Sequence, residues 1–239
     1  MTLEALWHDL ECGGYELDLP FWRRLAERAP GAVLDVGAGT GRVTLDLAAR
    51  GVAVVALDAD PSLAETLRER GAGLPVAVVV ADARAFALGW RFPLALVPMQ
   101  TLQLLGGAAG RAAFLRCALD HLEPGGLLAA AVSDAADCFN GEHASPPPPQ
   151  VRELAGVRYA SHLLAVTHED GRAALHRVRE ISGRGRTTEY EDVVVRLDRL
   201  SADQVAAQAR ALGFLAEPHA LIPGTDEYLG STVVMLRAP

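Results

Sequence analysis

The stretch Val33-Leu-Asp-Val-Gly-Ala-Gly-Thr-Gly-Arg42 decides the fold. A short apolar run leads directly into a glycine-rich turn, and leucines at helical spacing follow from Val43 to Arg50. Glycine is needed where the backbone adopts angles that other residues avoid, or where a ligand lies against it. The first turn of a helix also offers free N–H groups and a partial positive charge. The segment therefore predicts a strand, a ligand-binding turn and a helix.

The spacing of these glycines argues against a dinucleotide site. Such a site requires G-x-G-x-x-G after the strand. Gly37 and Gly39 fit that pattern, but Arg42 occupies the last position and Gly41 comes one residue early. Asp35 lies just before the turn, where a carboxylate would repel a pyrophosphate and attract an ammonium group. An NAD-dependent oxidoreductase is therefore only an alternative interpretation.

Short apolar runs and helix-length segments alternate after this turn. Continuous apolar strands separated by helices are typical of a parallel sheet covered on both faces. The further runs are at 52–57, 76–80, 94–97 and 127–132, and helices are predicted over 61–70 and 108–122. Ser201 begins a last helix that Gly213 ends, and two strands follow at 214–221 and 231–237. The fold class is therefore α/β.

A run of four prolines, 146–149, interrupts the alternation, since proline continues neither a helix nor a central strand. After the prolines, apolar and polar residues alternate, which predicts an antiparallel three-stranded meander over 157–166, 172–182 and 186–197. We expect N-terminal cap helices over 1–30, a core domain over 31–144 and 198–239, and an antiparallel β insertion over 145–197. The insertion would form a substrate lid or an oligomer contact. Its many arginines are interpreted as a solvated face, because the chain contains no lysine.

The composition limits the classes of function. Of 239 residues, 50% are hydrophobic, and the formal net charge of −8 argues against general binding to nucleic acids or anionic membranes. The three cysteines are far apart and form no CxxC pair, so we expect neither disulfides nor a metal site. No signal peptide or membrane-spanning run is expected. We expect a cytoplasmic monomer or homodimer with no nucleic-acid and no membrane partner.

Four motifs in order resemble those of the class I S-adenosylmethionine-dependent methyltransferases. They are Asp35-Val-Gly-Ala-Gly-Thr-Gly41, Leu57-Asp58, Ala81-Asp82-Ala83 and Leu122-Glu-Pro-Gly-Gly126. The resemblance covers about residues 15–135 and resumes at 201–237. It implies a Rossmann-like, doubly wound, seven-stranded and mostly parallel sheet with an antiparallel last strand. It also implies S-adenosyl-L-methionine as the cofactor.

The resemblance assigns a role to each matching residue. Asp35 would face the methionine ammonium group, and Gly37, Ala38 and Gly39 would lie against the methionine and ribose portions. Asp58, with Ala59 beside it, would bind both ribose hydroxyls. The remaining cofactor contacts would be Asp82 and Ala83 at the adenine, Pro98 near the methyl centre, and Tyr15 closing over the cofactor.

Methyl transfer from a sulfonium is an in-line displacement that needs mainly proximity and alignment. Gln100 follows the fourth strand at the expected methyl centre and is a candidate polar contact with the acceptor. His143 follows the fifth strand and is a candidate general base. We expect methylation of O or N on a small molecule. A non-catalytic module that binds S-adenosylmethionine or S-adenosylhomocysteine stays open as an alternative, as does aminopropyl transfer.

Overall fold

The computed structural model describes residues 1–133, 147–224 and 230–239. Its α-helices are α1 (Leu3–Cys12), α2 (Leu19–Ala26), α3 (Arg42–Ala48), α4 (Pro61–Arg70), α5 (Gly107–Asp120) and α6 (Ala202–Arg210). A 3-10 helix spans Thr101–Leu104. The strands are β1 (Val33–Val36), β2 (Val54–Asp58), β3 (Val76–Val80), β4 (Phe92–Val97), β5 (Leu122–Val132), β6 (Gln150–Leu154), β7 (Val157–Glu169), β8 (Arg172–Gly183), β9 (Glu189–Asp198), β10 (Leu215–Ile222) and β11 (Ser231–Arg237).

The larger sheet has seven strands in the order β10-β11-β5-β4-β1-β2-β3. Strands β1 to β5 run parallel, whereas β11 lies antiparallel to both β5 and β10. The expected Rossmann-like sheet with an antiparallel last strand is thereby confirmed. The strand order reverses between β1 and β4, and ligands of open α/β sheets bind at the carboxyl ends of strands beside such a reversal.

Strand β1 lies at the centre of the apolar core. All four of its residues are buried, because helices cover both faces of the sheet. Leu34 and Val36 pack into a cluster on one face with Phe92, and Val33 packs into a second cluster with Trp22 on the other. The glycine turn after β1 is therefore held between two packed layers.

Two helix starts follow the chemistry expected from the sequence. Asp60 precedes Pro61 and accepts a hydrogen bond from the Ser62 amide at 2.7 Å. Ser201 and Gln204 form a capping box, in which each side chain accepts from the other residue's amide. Both caps fix where the following helix begins.

The smaller sheet has four antiparallel strands in the order β6-β7-β8-β9. The three strands of the predicted meander are present as β7, β8 and β9, but the predicted number of strands was one too few. The additional strand, Gln150–Leu154, begins directly after the proline run. It is a short edge strand that is mostly exposed, so its sequence lacks a clear apolar alternation. Proline next to an edge strand is tolerated because one side of that strand needs no partner.

Helix α1 fastens the smaller sheet to the rest of the molecule. Arg179 of β8 donates two hydrogen bonds of 2.9 Å to the carboxylate of Glu11, which also accepts from Ser161 at 2.8 Å. Trp7 lies under the Arg179 guanidinium and edge-on to Tyr159. Arg179 is only 13% exposed, so the interpretation of the arginines as a solvated face was wrong for this residue.

A substitution of Glu11 by Gln tests this attachment. We expect Glu11→Gln to lower the free energy of unfolding by about 2 kcal/mol, because Arg179 would lose its charged partner in a mostly buried site. The matched control is Glu189→Gln, whose ion pair with Arg186 is exposed and should contribute under about 1 kcal/mol. Equal losses in urea denaturation of the two variants would contradict the assignment.

Candidate active site

The glycine turn after β1 adopts the conformation that its sequence predicts. Gly37, Gly39 and Gly41 have φ angles of 72°, 55° and 99°, in the left-handed region that side chains disfavour. The Gly37 and Ala38 amides donate to the carbonyl of Leu57 at 2.8 and 3.1 Å, which ties the turn to β2. Any side chain at Gly41 would overlap Leu67. The turn is therefore rigid and open towards the cleft.

Asp35 lies at the carboxyl end of β1 with a side chain that is almost completely buried. Thr44 donates a hydrogen bond of 2.6 Å to Oδ2. Oδ1 is buried without a hydrogen-bond partner in the described parts of the chain. Burial raises the pKa of this carboxyl to about 6, although Thr44 and the charge of Arg42 oppose the shift. An unpaired buried carboxylate oxygen beside a glycine turn fits the ammonium group of S-adenosylmethionine.

Two cavities flank the turn and share walls formed by His8, Gly37, Thr101 and Leu104. The first, of about 350 Å³, contains Asp58, Ala59, Asp82 and Ala83. The second, of about 250 Å³, contains Asp35, Ala38, Pro98 and Gln100. Residues expected at the nucleoside therefore line one cavity, and those expected at the methionine and methyl group line the other.

Asp58 ends β2 and holds the turn in place. Its Oδ2 accepts from the Gly39 amide at 2.7 Å, and its Oδ1 accepts from the Asp60 amide at 2.9 Å. A carboxylate can accept about four hydrogen bonds, so each oxygen keeps a lone pair for a ribose hydroxyl. The same residue thus shapes the turn and presents an acceptor to the cavity.

Asp82 and Arg84 form an exposed pair beside the first cavity. The Arg84 guanidinium donates to both Asp82 oxygens, at 2.6 Å from Nη2 to Oδ2. This pairing holds the pKa of Asp82 below its usual range. Both side chains line the cavity, so Arg84 joins Asp82 and Ala83 at the expected adenine end. Arg84 was not predicted as a site residue.

The second cavity is bounded by three distant segments of the chain. Met99 has a φ of 55°, which is unusual for a residue with a side chain and often marks a functional turn. Gln100 precedes the 3-10 helix, and its side chain does not cap that helix. Cys12 of α1 and Val195 of β9 complete the wall. Burial raises the pKa of the Cys12 thiol to about 11, so it stays protonated at neutral pH.

Tyr15 and His143 differ from the other expected site residues. Tyr15 is buried, donates to the Pro223 carbonyl at 3.1 Å and lies against the Arg42 guanidinium. It does not belong to the described lining of either cavity. His143 lies outside the described residues.

His8 is a site residue that the sequence reasoning missed. It was not among the candidate residues predicted from the sequence, yet it lines both cavities. Its ring lies against the glycine turn, since a Cβ on Gly39 would overlap Cε1 and Nε2 of His8. A lone histidine in a helix gives no signal of this kind, because the contact depends on how α1 docks.

The described residues contain no cluster of metal-ligating side chains. No helix in the described part of the chain is long and apolar enough to cross a membrane.

Residues 33–126 match a family model that is described as a methyltransferase domain. Over 100 residues the chain is 36% identical to the probable cobalt-precorrin-6B C(15)-methyltransferase (decarboxylating) of Methanothermobacter thermautotrophicus. That match covers 40% of this chain and 48% of the relative, so it spans about half of the relative's length.

Solved structures match over almost the whole chain. CalS10, an amino pentose methyltransferase from Micromonospora echinaspora with S-adenosylmethionine bound, is 19% identical with a TM-score of 0.75. The match covers 100% of this chain and 98% of that one. The glycopeptide N-methyltransferase MtfA, complexed with S-adenosyl-L-methionine, is 25% identical with a TM-score of 0.62, over 95% and 96% of the two chains.

Replacing Asp58 tests the ribose assignment. We expect Asp58→Ala to weaken S-adenosylmethionine binding at least tenfold in calorimetry, because charge-assisted hydrogen bonds contribute about 1.5–3 kcal/mol. Asp46→Ala serves as the control, since Asp46 pairs with Arg23 and lines neither cavity. Unchanged affinity in a folded Asp58→Ala protein would contradict the assignment.

The raised pKa of Asp35 predicts a pH dependence of binding. The affinity for S-adenosylhomocysteine should fall as the pH drops from 7.5 through about 6, because the carboxyl group that faces the ammonium becomes protonated. Asp35→Asn should bind more weakly at pH 7.5 and lose this dependence. The His8→Gln variant is titrated in parallel, since His8 faces the same cleft. A pH profile unaltered by Asp35→Asn would exclude Asp35 as the titrating group.

The pH also affects the stability of the protein without ligand, but this effect has the opposite sign: the contribution of Asp35 to stability falls as the pH rises. Because the folded pKa of Asp35 lies above the unfolded value of about 3.9, this group stabilises the fold at low pH. That contribution is lost as the pH rises through about 6. The Tm of Asp35→Asn relative to the wild type should therefore be higher at pH 7.5 than at pH 4.5. A Tm difference that does not change with pH would contradict the prediction.

Proposed function

We infer that this chain is a class I S-adenosylmethionine-dependent methyltransferase and that it methylates a nitrogen or oxygen atom of a small-molecule acceptor. The observation that carries this inference is the second cavity, where Asp35 and Gln100 meet a mostly apolar wall. Its volume of about 250 Å³ suits the methyl donor and one functional group of an acceptor. The acceptor would therefore present a single substituent to the cavity.

The bound cofactor supplies a methyl group on a sulfonium that is already a good leaving group. The protein then has to orient two partners and exclude water. We assign Asp35, Gly37 and Gly39 to holding the methionine portion, and Asp58 to holding the ribose. Pro98 and Met99 form the turn after β4, in which Met99 has a positive φ, and both residues line the second cavity.

Gln100 is the candidate contact with the acceptor. Its neutral amide can accept from an N–H or O–H and thereby aim a lone pair at the methyl group without trapping the nucleophile in an ion pair. A neutral amine needs no base before the transfer and loses its proton afterwards. The proposal therefore favours nitrogen over oxygen, and it does not depend on His143.

The descriptions of two similar structures support the proposal in different respects, since one names an amino sugar and the other names methylation at nitrogen. One is described as an amino pentose methyltransferase, and the other as a glycopeptide N-methyltransferase. We therefore propose the amino group of a sugar, free or within a larger glycoside, as the preferred acceptor.

The insertion over 145–197 is proposed as the lid of the acceptor site. Val195 of β9 reaches the second cavity, and the insertion is fastened to α1 through Glu11 and Arg179. A second anchor joins it to the core, since Asp198 accepts from the Gly107 amide at 2.6 Å and from Arg111 at 2.8 Å. Residues of the lid would then select the acceptor.

The experiment compares matched acceptors. Transfer of a labelled methyl group from S-adenosylmethionine is measured across amino sugars and the corresponding hydroxy sugars. Amino sugars should be methylated with the higher kcat/KM. Methylation of hydroxy sugars alone would contradict the choice of nitrogen, and binding of S-adenosylmethionine without turnover of any acceptor would favour a regulatory binding module.

The role of Gln100 has its own test. We expect Gln100→Met, which keeps the side-chain size, to lower kcat/KM for the acceptor at least tenfold, because the hydrogen bond that orients the nucleophile is lost. Affinity for S-adenosylhomocysteine should change less than twofold. Gln208→Met on α6 is the control, since its side chain bonds the Ala108 carbonyl away from both cavities. Full activity of Gln100→Met would contradict the assignment.

A further inference from the structure

We propose that His8 binds the cofactor ribose as a neutral hydrogen-bond acceptor, and that Thr40, Asp9 and Arg70 position its ring. This inference rests on the proposed cofactor site but not on the identity of the methyl acceptor. It adds a side chain of the N-terminal helix to a ribose contact otherwise assigned to Asp58 at the end of β2.

The location of His8 gives the first argument. Its ring borders both cavities, at the junction between the nucleoside and methionine halves of the cleft. It lies against the backbone of Gly39, whose amide donates to Oδ2 of Asp58. The imidazole and the Asp58 carboxylate therefore converge on one glycine from two sides, where the ribose hydroxyls are expected.

A chain of hydrogen bonds gives the second argument, because it fixes the tautomer of His8. Arg70 of α4 pairs with both oxygens of Asp9, at 3.0 Å from Nη1 to Oδ1 and 2.5 Å from Nη2 to Oδ2. Thr40 donates its single hydroxyl proton to Oδ1 of Asp9 at 2.6 Å. Nδ1 of His8 lies 3.2 Å from the same Thr40 oxygen. Since the hydroxyl proton of Thr40 is already donated to Asp9, the Thr40 oxygen can only accept from His8, and Nδ1 must carry the proton.

The ionisation of the chain agrees with this direction. Burial opposes the charge on Asp9, but the hydrogen bonds from Arg70 and Thr40 hold its pKa below the usual range, so it can only accept. Burial also lowers the pKa of His8, although the charges of Asp58 and Asp9 partly offset the shift. The ring is therefore neutral at pH 7.5, with its proton on Nδ1.

A neutral ring with the proton on Nδ1 leaves a lone pair on Nε2. Among the described residues Nε2 has no hydrogen-bond partner, and it lies at the glycine turn. A hydroxyl group is the donor that the cofactor can offer at this point. Both Asp58 and His8 would then accept hydrogen bonds from the ribose hydroxyls.

Two matched substitutions separate the nitrogens of the ring. His8→Gln places an amide oxygen near the position of Nε2, whereas His8→Asn places its amide near Nδ1 and lacks an acceptor in the cleft. Affinities for S-adenosylhomocysteine and its 2′-deoxy and 3′-deoxy analogues are measured by calorimetry at pH 7.5. His8→Asn should weaken S-adenosylhomocysteine binding five- to tenfold, and His8→Gln should retain affinity within about threefold.

The analogues make the test specific for the ribose. For each protein, the fold loss of affinity between S-adenosylhomocysteine and a deoxy analogue is calculated. For one of the two analogues, this loss should be at least three times larger in the wild type than in His8→Asn. Wild-type affinity of His8→Asn would overturn the proposal. An equal loss for all three ligands would overturn it as well, since that result indicates a structural role. Because no methyl acceptor is present, absence of turnover has no bearing on this outcome.

The tautomer is measured on the unaltered protein, which covers the case in which His8→Asn does not fold. Nitrogen-15 spectra of labelled histidine should show His8 protonated on Nδ1, with the resonance assigned by its loss in His8→Gln. Thr40→Val should shift this resonance, because the acceptor for Nδ1 is removed. A proton on Nε2 in the wild-type protein would overturn the proposal.

Discussion

The site depends on one buried carboxylate oxygen. Asp35 occupies the centre of the sheet, where two packed layers exclude water, and only Oδ2 is satisfied, by Thr44. Burying an unpaired charged oxygen is costly unless a partner is supplied. The glycines that follow let Thr101 and His8 pack directly against the turn, because a Cβ at Gly37 or Gly39 would overlap them. Asp35 lines the second cavity together with Gly37 and Ala38, so a cationic ligand bound there could pair with this carboxylate.

The walls around that oxygen come from parts of the chain that are far apart in sequence. α1 contributes His8 and Cys12, the turn after β4 contributes Met99 and Gln100, and β9 contributes Val195. Their relative positions depend on ion pairs between elements. Arg42 at the start of α3 is bonded to Asp18, which also accepts from the Trp22 indole, so the N-terminal segment is fixed to the glycine turn. The cleft is consequently a property of the assembled chain.

The sequence was sufficient for those parts of the molecule in which local chemistry decides the structure. The glycine turn, the helix start at Ser201 and the strands of the larger sheet follow from spacing, capping and apolar runs. Each was predicted close to its observed place, except that β5 begins at Leu122, five residues before the predicted run. The edge strand Gln150–Leu154 was missed because an exposed edge carries little apolar pattern. Arg179 of β8 was misinterpreted because its burial against α1 is a long-range effect that the local sequence does not encode.

The same distinction applies to the candidate site. Asp35 and Asp58 stand at strand ends, so topology alone brings them together at one edge of the sheet. His8 and Arg84 were missed, since a histidine on a helix and an arginine in a loop are common and their contacts arise only in the folded chain. The cofactor contact expected of Tyr15 stays a prediction, and the structure adds that its hydroxyl donates to the Pro223 carbonyl, a contact between distant segments that the sequence does not signal.

The most direct measurement of the central claim is a crystal structure with S-adenosylhomocysteine bound. The account predicts that the ligand's amino nitrogen lies within about 3.2 Å of Oδ1 of Asp35, as an ion-paired hydrogen bond requires. A ligand bound elsewhere, or one whose amino group leaves Oδ1 without a partner, would contradict it.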